Sequence, residues 1–143
     1  MTTVRQLLEK KRNDVWSVAP ETSVYDAIAL MADKSVGALL VMEGSELVGI
    51  VSERDYARKV ILKGRSSKQT PVRDIMTTKV LYVTPTHSLE ECMAIMTEKR
   101  IRHLPVLEEG RLLGVFSSGD VIKATISEQE FMIEQLENYI KGR

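Results

Sequence analysis

The sequence contains little cysteine, few aromatic residues and no excess charge of either sign. Its one cysteine, Cys92, excludes an internal disulfide and is typical of a protein kept in a reducing compartment. Its 20 basic residues balance its 20 acidic residues, so the molecule as a whole does not attract polyanions. We therefore expect neither nucleic acid nor a membrane surface among its partners.

Long hydrophobic runs are also missing. The longest apolar stretches, such as residues 38–42, are far shorter than the roughly 20 residues that span a bilayer. The N-terminal stretch MTTVRQLLEKKR lacks the hydrophobic core of a signal peptide. We expect a soluble, cytoplasmic protein. With 143 residues, the chain can bury a hydrophobic core without a metal or a disulfide.

The main feature that is present is an internal repeat. A shift of 65 residues aligns residues 16–56 with residues 81–121 without a gap. A further similarity lies upstream, where VRQLL at residues 4–8 resembles VRDIM at residues 72–76. Each unit therefore begins before its proline. Identical pairs include Val18/Val83, Pro20/Pro85, Ser23/Ser88, Met31/Met96, Val41/Val106, Leu47/Leu112, Gly49/Gly114, Ser52/Ser117 and Asp55/Asp120.

Both repeats carry the same order of secondary-structure signals. A short β-prone stretch closed by proline precedes a helix that Ser23 or Ser88 caps, followed by apolar residues at helical spacing. Two apolar runs around a glycine-containing turn predict a hairpin. The last helix begins at about Ser52 or Ser117. The order is strand, helix, strand, strand, helix, and it predicts an α+β fold whose two small units pack sheet against sheet.

The chain divides into five segments on these patterns. A polar linker bounded by glycine and proline separates the repeats, and apolar residues return at helical spacing near the end of the sequence. The segments are an N-terminal helical segment at residues 1–15, repeat 1 at 16–63, the linker at 64–71, repeat 2 at 72–126 and a C-terminal amphipathic helix at 127–143.

The C-terminal helix has two open interpretations. It could pack on its own domain, or it could form a dimer interface, because so much exposed apolar surface is otherwise a liability. The apolar residues that lie roughly on one face of this helix are Phe131, Met132, Leu136, Tyr139 and Ile140.

The motif Gly-x-x-Ser-x-x-Asp closes both repeats, as GIVSERD at residues 49–55 and GVFSSGD at residues 114–120. A structural interpretation is a capping box, in which the serine caps the helix and the third helical residue reaches back to the cap amide. Glutamate or glutamine is usual at that third position, so we expect the shorter aspartate to reach less easily. Glycine inside a strand often marks the close approach of a ligand or of another backbone.

A functional interpretation of the same motif is a nucleotide site. Helix-start amides and the serine hydroxyl can donate hydrogen bonds to a phosphate. The aspartate can accept from both ribose hydroxyls, as acidic residues do in dinucleotide-binding folds. Apolar side chains from the strands can sandwich the base.

The repeats, together with the strand Arg102-His103-Leu104-Pro105-Val106, resemble a tandem pair of cystathionine-β-synthase (CBS) domains over about residues 3–126. This resemblance implies two repeats related by a pseudo-twofold axis. It also implies two clefts between the repeats for adenosine-type ligands: AMP, ADP, ATP, S-adenosylmethionine or NAD(H). We expect AMP, with ATP or NAD as alternatives.

The resemblance also implies which side chains bind. The serine of each motif contacts phosphate and the aspartate holds the ribose, while basic residues near each serine face the phosphates. Repeat 2 carries such residues in the strand before its hairpin; repeat 1 has Gly37 and Ala38 there and could compensate with basic residues that follow its serine, Lys59 among them. Lys79 resembles residues that line an adenine pocket. The predicted ligand-binding set is Ser52, Arg54, Asp55, Arg58, Lys79, Val80, Arg102, His103, Pro105, Ser117 and Asp120.

Catalysis and metal binding fit the sequence less well. Ser117, His103 and Asp120 are the residue types of a hydrolase triad, but no Gly-x-Ser-x-Gly elbow surrounds either serine. Repeat 1 has Ala38 where a base would be needed. The histidines and Cys92 lack the usual zinc-ligand spacings. We expect no enzymatic activity and no metal.

The sequence therefore predicts a non-catalytic regulatory module. Nucleotide binding would bias its conformation, and an unidentified regulated protein would respond to the change. We also expect a homodimer, because of the C-terminal helix and because members of the family tend to pair. The alternative is a structural or partner-binding protein with vestigial clefts.

Overall fold

A computed structural model of the chain describes residues 2–10 and 14–142, which fold into two compact units. The repeat-1 unit comprises Asp14–Leu81. The repeat-2 unit comprises helix α1 (Val4–Lys10) and the described chain from Tyr82 onward. Residues 1 and 11–13 of the predicted N-terminal segment, and residue 143 of the predicted last helix, lie outside the described residues.

The repeat-1 unit contains a three-stranded sheet in the order β1-β2-β3. β1 is parallel to β2, and β2 forms an antiparallel hairpin with β3. A π-helical turn at Ala57–Ile61 continues α3, and a 3₁₀ turn at Val72–Asp74 follows the linker. The elements are β1 (Ser17–Val18), α2 (Val24–Lys34), β2 (Ala38–Glu43), β3 (Glu46–Ser52) and α3 (Glu53–Tyr56).

The repeat-2 unit has the same hairpin with a shorter sheet. Its elements after α1 are α4 (Leu89–Lys99), β4 (His103–Glu108), β5 (Arg111–Ser117) and α5 (Ser118–Ile140). The strand predicted at its start is wrong in extent, because only Val83 pairs with Val106 there. Tyr82 is 54% exposed, so it gains little by joining a strand that the nearby proline would end. The α+β fold itself is confirmed.

The serine caps predicted at α2 and α4 are confirmed. Ser23 accepts the amide of Asp26 at 3.1 Å, and Ser88 accepts the amide of Glu91 at 3.1 Å. Most of the apolar positions predicted from the spacing are buried in both helices, whereas Met93 of α4 is 40% exposed. Both repeats therefore begin their first helix with a serine cap, and α4 adds a reciprocal hydrogen bond from the Ser88 amide to Glu91.

Each unit has its own hydrophobic core. The repeat-1 core contains nine buried residues: Val24, Ala27, Met31, Leu39, Val41, Val51, Val60, Val72 and Ile75. The repeat-2 core contains eleven buried residues: Val4, Leu7, Leu8, Val83, Leu89, Cys92, Met96, Leu104, Val106, Phe116 and Val121. The methionines and the cysteine in these clusters act as apolar filling.

The segment before each repeat packs on the other repeat. The Val4 amide donates to the His87 carbonyl at 2.8 Å, and the Val72 amide donates to the Thr22 carbonyl at 2.8 Å. Both valines are fully buried. VRQLL therefore completes repeat 2, and VRDIM completes repeat 1. The predicted sequence boundary at residue 72 does not coincide with the boundary between the compact units.

The last helix is longer than predicted. The helix expected from about Ser117 and the separate helix expected at residues 127–143 form one continuous α5 of 23 residues. No proline, and no glycine after Gly119, interrupts it. Phe131 is 61% exposed and Ile140 is 81% exposed, so the unit does not cover the apolar residues beyond Ser127. The interpretation that this segment packs on its own domain is wrong.

Within residues 2–10 and 14–142, every helix is too short or too polar to cross a membrane.

Candidate functional site

The Ser-x-x-Asp motifs form complete capping boxes at the starts of α3 and α5. The Ser52 amide donates to Asp55 Oδ2 at 2.9 Å, and the Asp55 amide donates to Ser52 Oγ at 3.2 Å. The Ser117 amide donates to Asp120 Oδ2 at 2.8 Å, and the Asp120 amide donates to Ser117 Oγ at 3.2 Å. The structural interpretation of the motif is confirmed in both repeats.

The expectation that aspartate reaches the cap amide poorly is wrong. Both serines have extended backbone, with ψ of 166°. This conformation holds the amide within reach of the short side chain. In both repeats the serine and the aspartate are therefore already hydrogen-bonded to each other. In repeat 1 the Ser52 hydroxyl also donates to Asp55 Oδ2 at 3.1 Å.

Gly49 is required by the approach of another segment of the chain. A Cβ atom at this position would lie 2.6 Å from Met76 Sδ and 3.1 Å from the Thr77 carbonyl oxygen. Next to it, Ile50 and Thr77 exchange two backbone hydrogen bonds, of 3.0 Å and 2.9 Å. The sequence leaves open a ligand or a backbone as the reason for this glycine. In the structure the close approach is made by the Met76 side chain together with the Thr77 carbonyl.

Lys59 holds the aspartate of repeat 1. Its Nζ lies 3.3 Å from Asp55 Oδ1 and donates to the Ile75 carbonyl at 2.8 Å. In this structure the charge of Lys59 is paired with Asp55, and the phosphate contact expected of Lys59 stays a prediction. The four-residue spacing of Asp55 and Lys59 could have indicated this pair. Repeat 2 has Ala124 at the matching position.

Arg102 and His103 lie beside the cap of repeat 2. His103 is the cross-strand partner of Ser117, and the Ser118 amide donates to the Arg102 carbonyl at 2.8 Å. Because β4 and β5 form a hairpin, two residues distant in sequence lie at the start of α5. The structure thus brings together Arg102, His103, Ser117 and Asp120, as predicted from the sequence.

Repeat 1 has the same backbone arrangement with different side chains. Ala38 is the cross-strand partner of Ser52, and the Glu53 amide donates to the Gly37 carbonyl at 3.0 Å. Neither Gly37 nor Ala38 can supply a charge. The exposed Arg54 and Arg58 lie instead on the helical segment that follows Ser52.

The other predicted site residues divide between the units. Lys79 and Val80 belong to the repeat-1 unit and follow Thr77, with Lys79 exposed and Val80 half-buried. Pro105 is buried in β4, and its carbonyl accepts the Val83 amide at 3.0 Å. The Pro105 carbonyl therefore binds the segment around Val83 to β4, and Lys79 and Val80 lie in the unit that contains Ser52 and Asp55.

Two further groups have shifted pKa values. Burial raises the pKa of the Cys92 thiol to about 11, so this cysteine is a poor nucleophile. Hydrogen bonds from the amide and hydroxyl of Ser88, together with the nearby His87, lower the pKa of Glu91. In the part of the chain that the structure describes, no three His, Cys, Asp or Glu side chains are grouped to hold a metal ion.

Comparisons with known proteins support the repeat structure. The sequence profile of the CBS domain matches residues 4–62 and 72–127. The mitochondrial CBS domain-containing protein CBSX3 of Arabidopsis thaliana is 40% identical over 151 aligned positions, covering 99% of this chain and 73% of the plant protein. The cytoplasmic location expected for this chain stays a prediction.

Solved structures with CBS domains have the same fold. One from Burkholderia ambifaria MC40-6 is 55% identical, with a TM-score of 0.87 over 90% of this chain and 96% of the other. A CBS domain pair solved with 5′-methylthioadenosine and S-adenosylmethionine is 19% identical, with a TM-score of 0.78 over 90% of this chain and 98% of the other. The chain therefore belongs to the CBS domain family and contains two copies of the domain.

Proposed function

We propose that the protein is a non-catalytic regulatory module that binds adenosine-type nucleotides at its two Ser-x-x-Asp caps. The observation that carries this proposal is that both repeats place the same serine and aspartate where a hairpin strand enters a helix. The distant relative solved with two adenosyl compounds supports this ligand class.

The repeat-2 site would bind the phosphate through the start of α5. The helix N-terminus carries amide groups and positive dipole character, which favour an anion. Gly119 has no side chain, and the space beside it is open. A Cβ atom added there would meet only Ser117 Oγ, at 3.5 Å. Arg102 and His103 would add positive charge from β4, and Asp120 would accept from the ribose hydroxyls.

The repeat-1 site would obtain its positive charge differently. Arg54 occupies the position of Gly119, and Arg58 follows one turn later. Asp55 would bind ribose in competition with Lys59, which lies 3.3 Å from its Oδ1 atom. The two sites would therefore prefer ligands with different phosphate ends. We take AMP as the leading candidate. ATP, NAD(H) and S-adenosylmethionine are the alternatives, because all of them contain the ribose that the aspartate would bind.

Isothermal titration with AMP, ATP, NAD, NADH and S-adenosylmethionine tests the proposal. Asp120→Ala should remove one class of sites and Asp55→Ala the other. Glu91→Ala is the matched control, because it breaks a capping box at α4, away from both proposed sites. Unchanged stoichiometry in both aspartate variants would contradict the assignment, and no binding of any ligand would reject the function.

A second candidate is a structural or partner-binding protein whose sites are vestigial. The complete capping boxes favour it, because they account for the serine and the aspartate without a ligand. A thermal-shift screen separates the two candidates, since a ligand that binds only the folded protein raises its melting temperature. A hydrolase is disfavoured, because His103 has no counterpart beside Ser52.

We further propose that the module acts as a homodimer and that a regulated protein responds to its ligand-bound conformation. The exposed apolar residues of α5 support the dimer, since water contact with so many of them is costly. Light scattering at several protein concentrations tests it. A monomer at all of them would reject the dimer without affecting the nucleotide proposal.

A further inference from the structure

Asp55 carries a carboxylate whose two oxygen atoms are both bonded within the repeat-1 unit. Its Oδ2 atom accepts the Ser52 amide at 2.9 Å and the Ser52 hydroxyl at 3.1 Å. Its Oδ1 atom lies 3.3 Å from Lys59 Nζ. The group that the proposed function assigns to ribose therefore already contacts three donors of its own chain, and a ribose hydroxyl would compete with them.

Lys59 is held at this carboxylate from two sides. It belongs to the π-helical turn Ala57–Ile61, and its spacing of four residues from Asp55 places both side chains on the same side of the helical segment. Its ammonium group also donates to the Ile75 carbonyl at 2.8 Å. Lys59 therefore links two segments of the repeat-1 unit. If it leaves Asp55, it loses an anionic partner that the neutral carbonyl does not replace.

The ion pair between Asp55 and Lys59 is partly shielded from water. The Asp55 side chain is 15% exposed and the Lys59 side chain is 44% exposed. A shielded carboxylate attracts a cation more strongly than a carboxylate in bulk water does. Removing one member of such a pair leaves the other charge without compensation, which is unfavourable. A ligand that takes Asp55 therefore binds well only if it gives the ammonium group another anion.

Adenosine-type ligands differ in what they offer this ammonium group. AMP and ATP carry phosphate next to the ribose, and phosphate forms strong, charge-assisted hydrogen bonds with cationic side chains. Adenosine is uncharged, whereas S-adenosylmethionine has no phosphate and carries a positive sulfonium group next to its ribose. The Ser52 hydroxyl, which the proposed function assigns to phosphate, bonds the same carboxylate as Lys59. A phosphate at Ser52 would therefore lie near the displaced ammonium group.

We propose that Lys59 determines the ligand specificity of the repeat-1 site: it keeps Asp55 from ribose unless the ligand also carries a phosphate. The ribose hydroxyls then replace Lys59 at Asp55 Oδ1, and the ammonium group binds the phosphate instead. Phosphate-free adenosyl compounds are disfavoured at this site. Repeat 2 has Ala124 at the matching position, so no lysine makes this selection there. The inference rests on the proposed function and names the ligand class of one of its two sites.

AMP and adenosine are the matched probes for this selection, because they differ only in the phosphate. Isothermal titration in the Asp120→Ala background leaves the repeat-1 site alone under the proposed function. Lys59→Met should tighten adenosine binding about tenfold, because a charged competitor for Asp55 is removed. It should weaken AMP binding about threefold, because the phosphate loses a cation. The preference for AMP over adenosine should therefore fall about thirtyfold.

Two further variants of Lys59 test whether its charge is responsible. Lys59→Arg keeps a cation and should keep the preference for AMP. Lys59→Gln keeps a donor for the Ile75 carbonyl without the charge, and it should behave as Lys59→Met does. The glutamine variant also keeps the inference testable if methionine disturbs the fold. A melting curve for each variant establishes that it is folded under the conditions of the titration.

Lys63→Met is the matched control, because it removes an exposed lysine that follows the same helical segment. It should change neither affinity by more than about twofold. Binding with an unchanged preference in Lys59→Met, or an equal change in Lys63→Met, would overturn the inference while leaving the proposed function standing. Failure of both ligands to bind in every variant would instead reject the repeat-1 site of the proposed function, and the inference with it.

Discussion

The two units share a backbone arrangement but obtain charge near their caps from different elements. In the repeat-2 unit, basic side chains come from the start of β4, at Arg102 and His103. In the repeat-1 unit, they come from the segment after the cap, where Lys59 pairs with Asp55. The hairpin and the helix cap fix where the side chains near each cap lie. The residue type at each of these positions decides whether it carries a charge.

The helices after the two caps also differ. α3 passes into a π-helical turn and ends near Leu62, whereas α5 continues as a regular helix to Ile140. π-helical turns are rare in proteins, and those that occur are often found at functional sites. In this unit the turn contains Lys59, whose ammonium group links Asp55 to the Ile75 carbonyl. The comparison predicts that similar substitutions have different effects in the two units.

The largest expected effect is at the centre of the repeat-2 core. Phe116→Ala should lower the free energy of unfolding by about 3–5 kcal/mol, because it leaves a large cavity at a fully buried site. Val51 occupies the matching position of repeat 1, and Val51→Ala should cost about 2 kcal/mol. Urea denaturation measures both, with the 76% exposed Leu62→Ala as a control. Equal losses of unfolding free energy at the two sites would contradict the expectation that the larger side chain contributes more to its core.

The segment that precedes each repeat packs on the other repeat, and this predicts which unit a substitution in that segment destabilises. Val4→Ala should cost about 2 kcal/mol and raise amide exchange within residues 82–142, although Val4 precedes repeat 1 in sequence. Val72→Ala should act within residues 14–81. Hydrogen exchange measured by mass spectrometry distinguishes the two patterns. Increased exchange in residues 14–81 caused by Val4→Ala would contradict the observed packing.

Lys59 should stabilise the repeat-1 unit only. Lys59→Met should lower the free energy of unfolding by about 1–2 kcal/mol, because a charged hydrogen bond is lost, with the effect reduced by the partial exposure of the lysine. Lys63→Met removes an exposed lysine nearby and should cost less than about 0.5 kcal/mol. Thermal or urea denaturation measures the difference. Equal effects of the two variants would mean that the Asp55 contact adds no stability.

The smallest effect concerns pH and the capping box of α4. Because the pKa of Glu91 is lower in the folded protein than its ordinary value of 4.5, its contribution is present above that value and is lost as the pH falls through the lowered pKa. Glu91→Gln should therefore show a smaller loss of stability than the wild type between about pH 5 and pH 3. Glu90→Gln, one residue earlier, should keep the wild-type loss.

Much of the local structure could be predicted from the sequence, because it depends on neighbouring residues. Ser23 and Ser88 begin helices through contacts three residues away, and the hairpins follow from two apolar runs around a turn. The grouping of Arg102, His103, Ser117 and Asp120 at the start of α5 could also be predicted, since the repeat and the family resemblance identify them together. The capping distance to aspartate could not, because it depends on the backbone angle at the serine.

The remaining features depend on contacts between distant segments. The similar segments VRQLL and VRDIM indicate that their valines belong to a hydrophobic core. Nothing in the pattern indicates which repeat each valine completes. Gly49 indicates a close approach without identifying Met76 and Thr77 as the neighbours. The continuity of α5 is hard to predict because Ser127 resembles the start of a new helix, although no residue there ends the first one.

VRQLL completes repeat 2 and VRDIM completes repeat 1, which has a consequence for how such a chain can arise and be divided. A polypeptide with one repeat and its own preceding segment would leave the valine pocket of that repeat empty, and its own valine would need a pocket elsewhere. Two such polypeptides could complete each other only by exchanging segments between molecules. Joining both copies in one chain makes that exchange intramolecular, at a far higher effective concentration. Cutting the chain after residue 71 would therefore produce two incomplete halves rather than two domains.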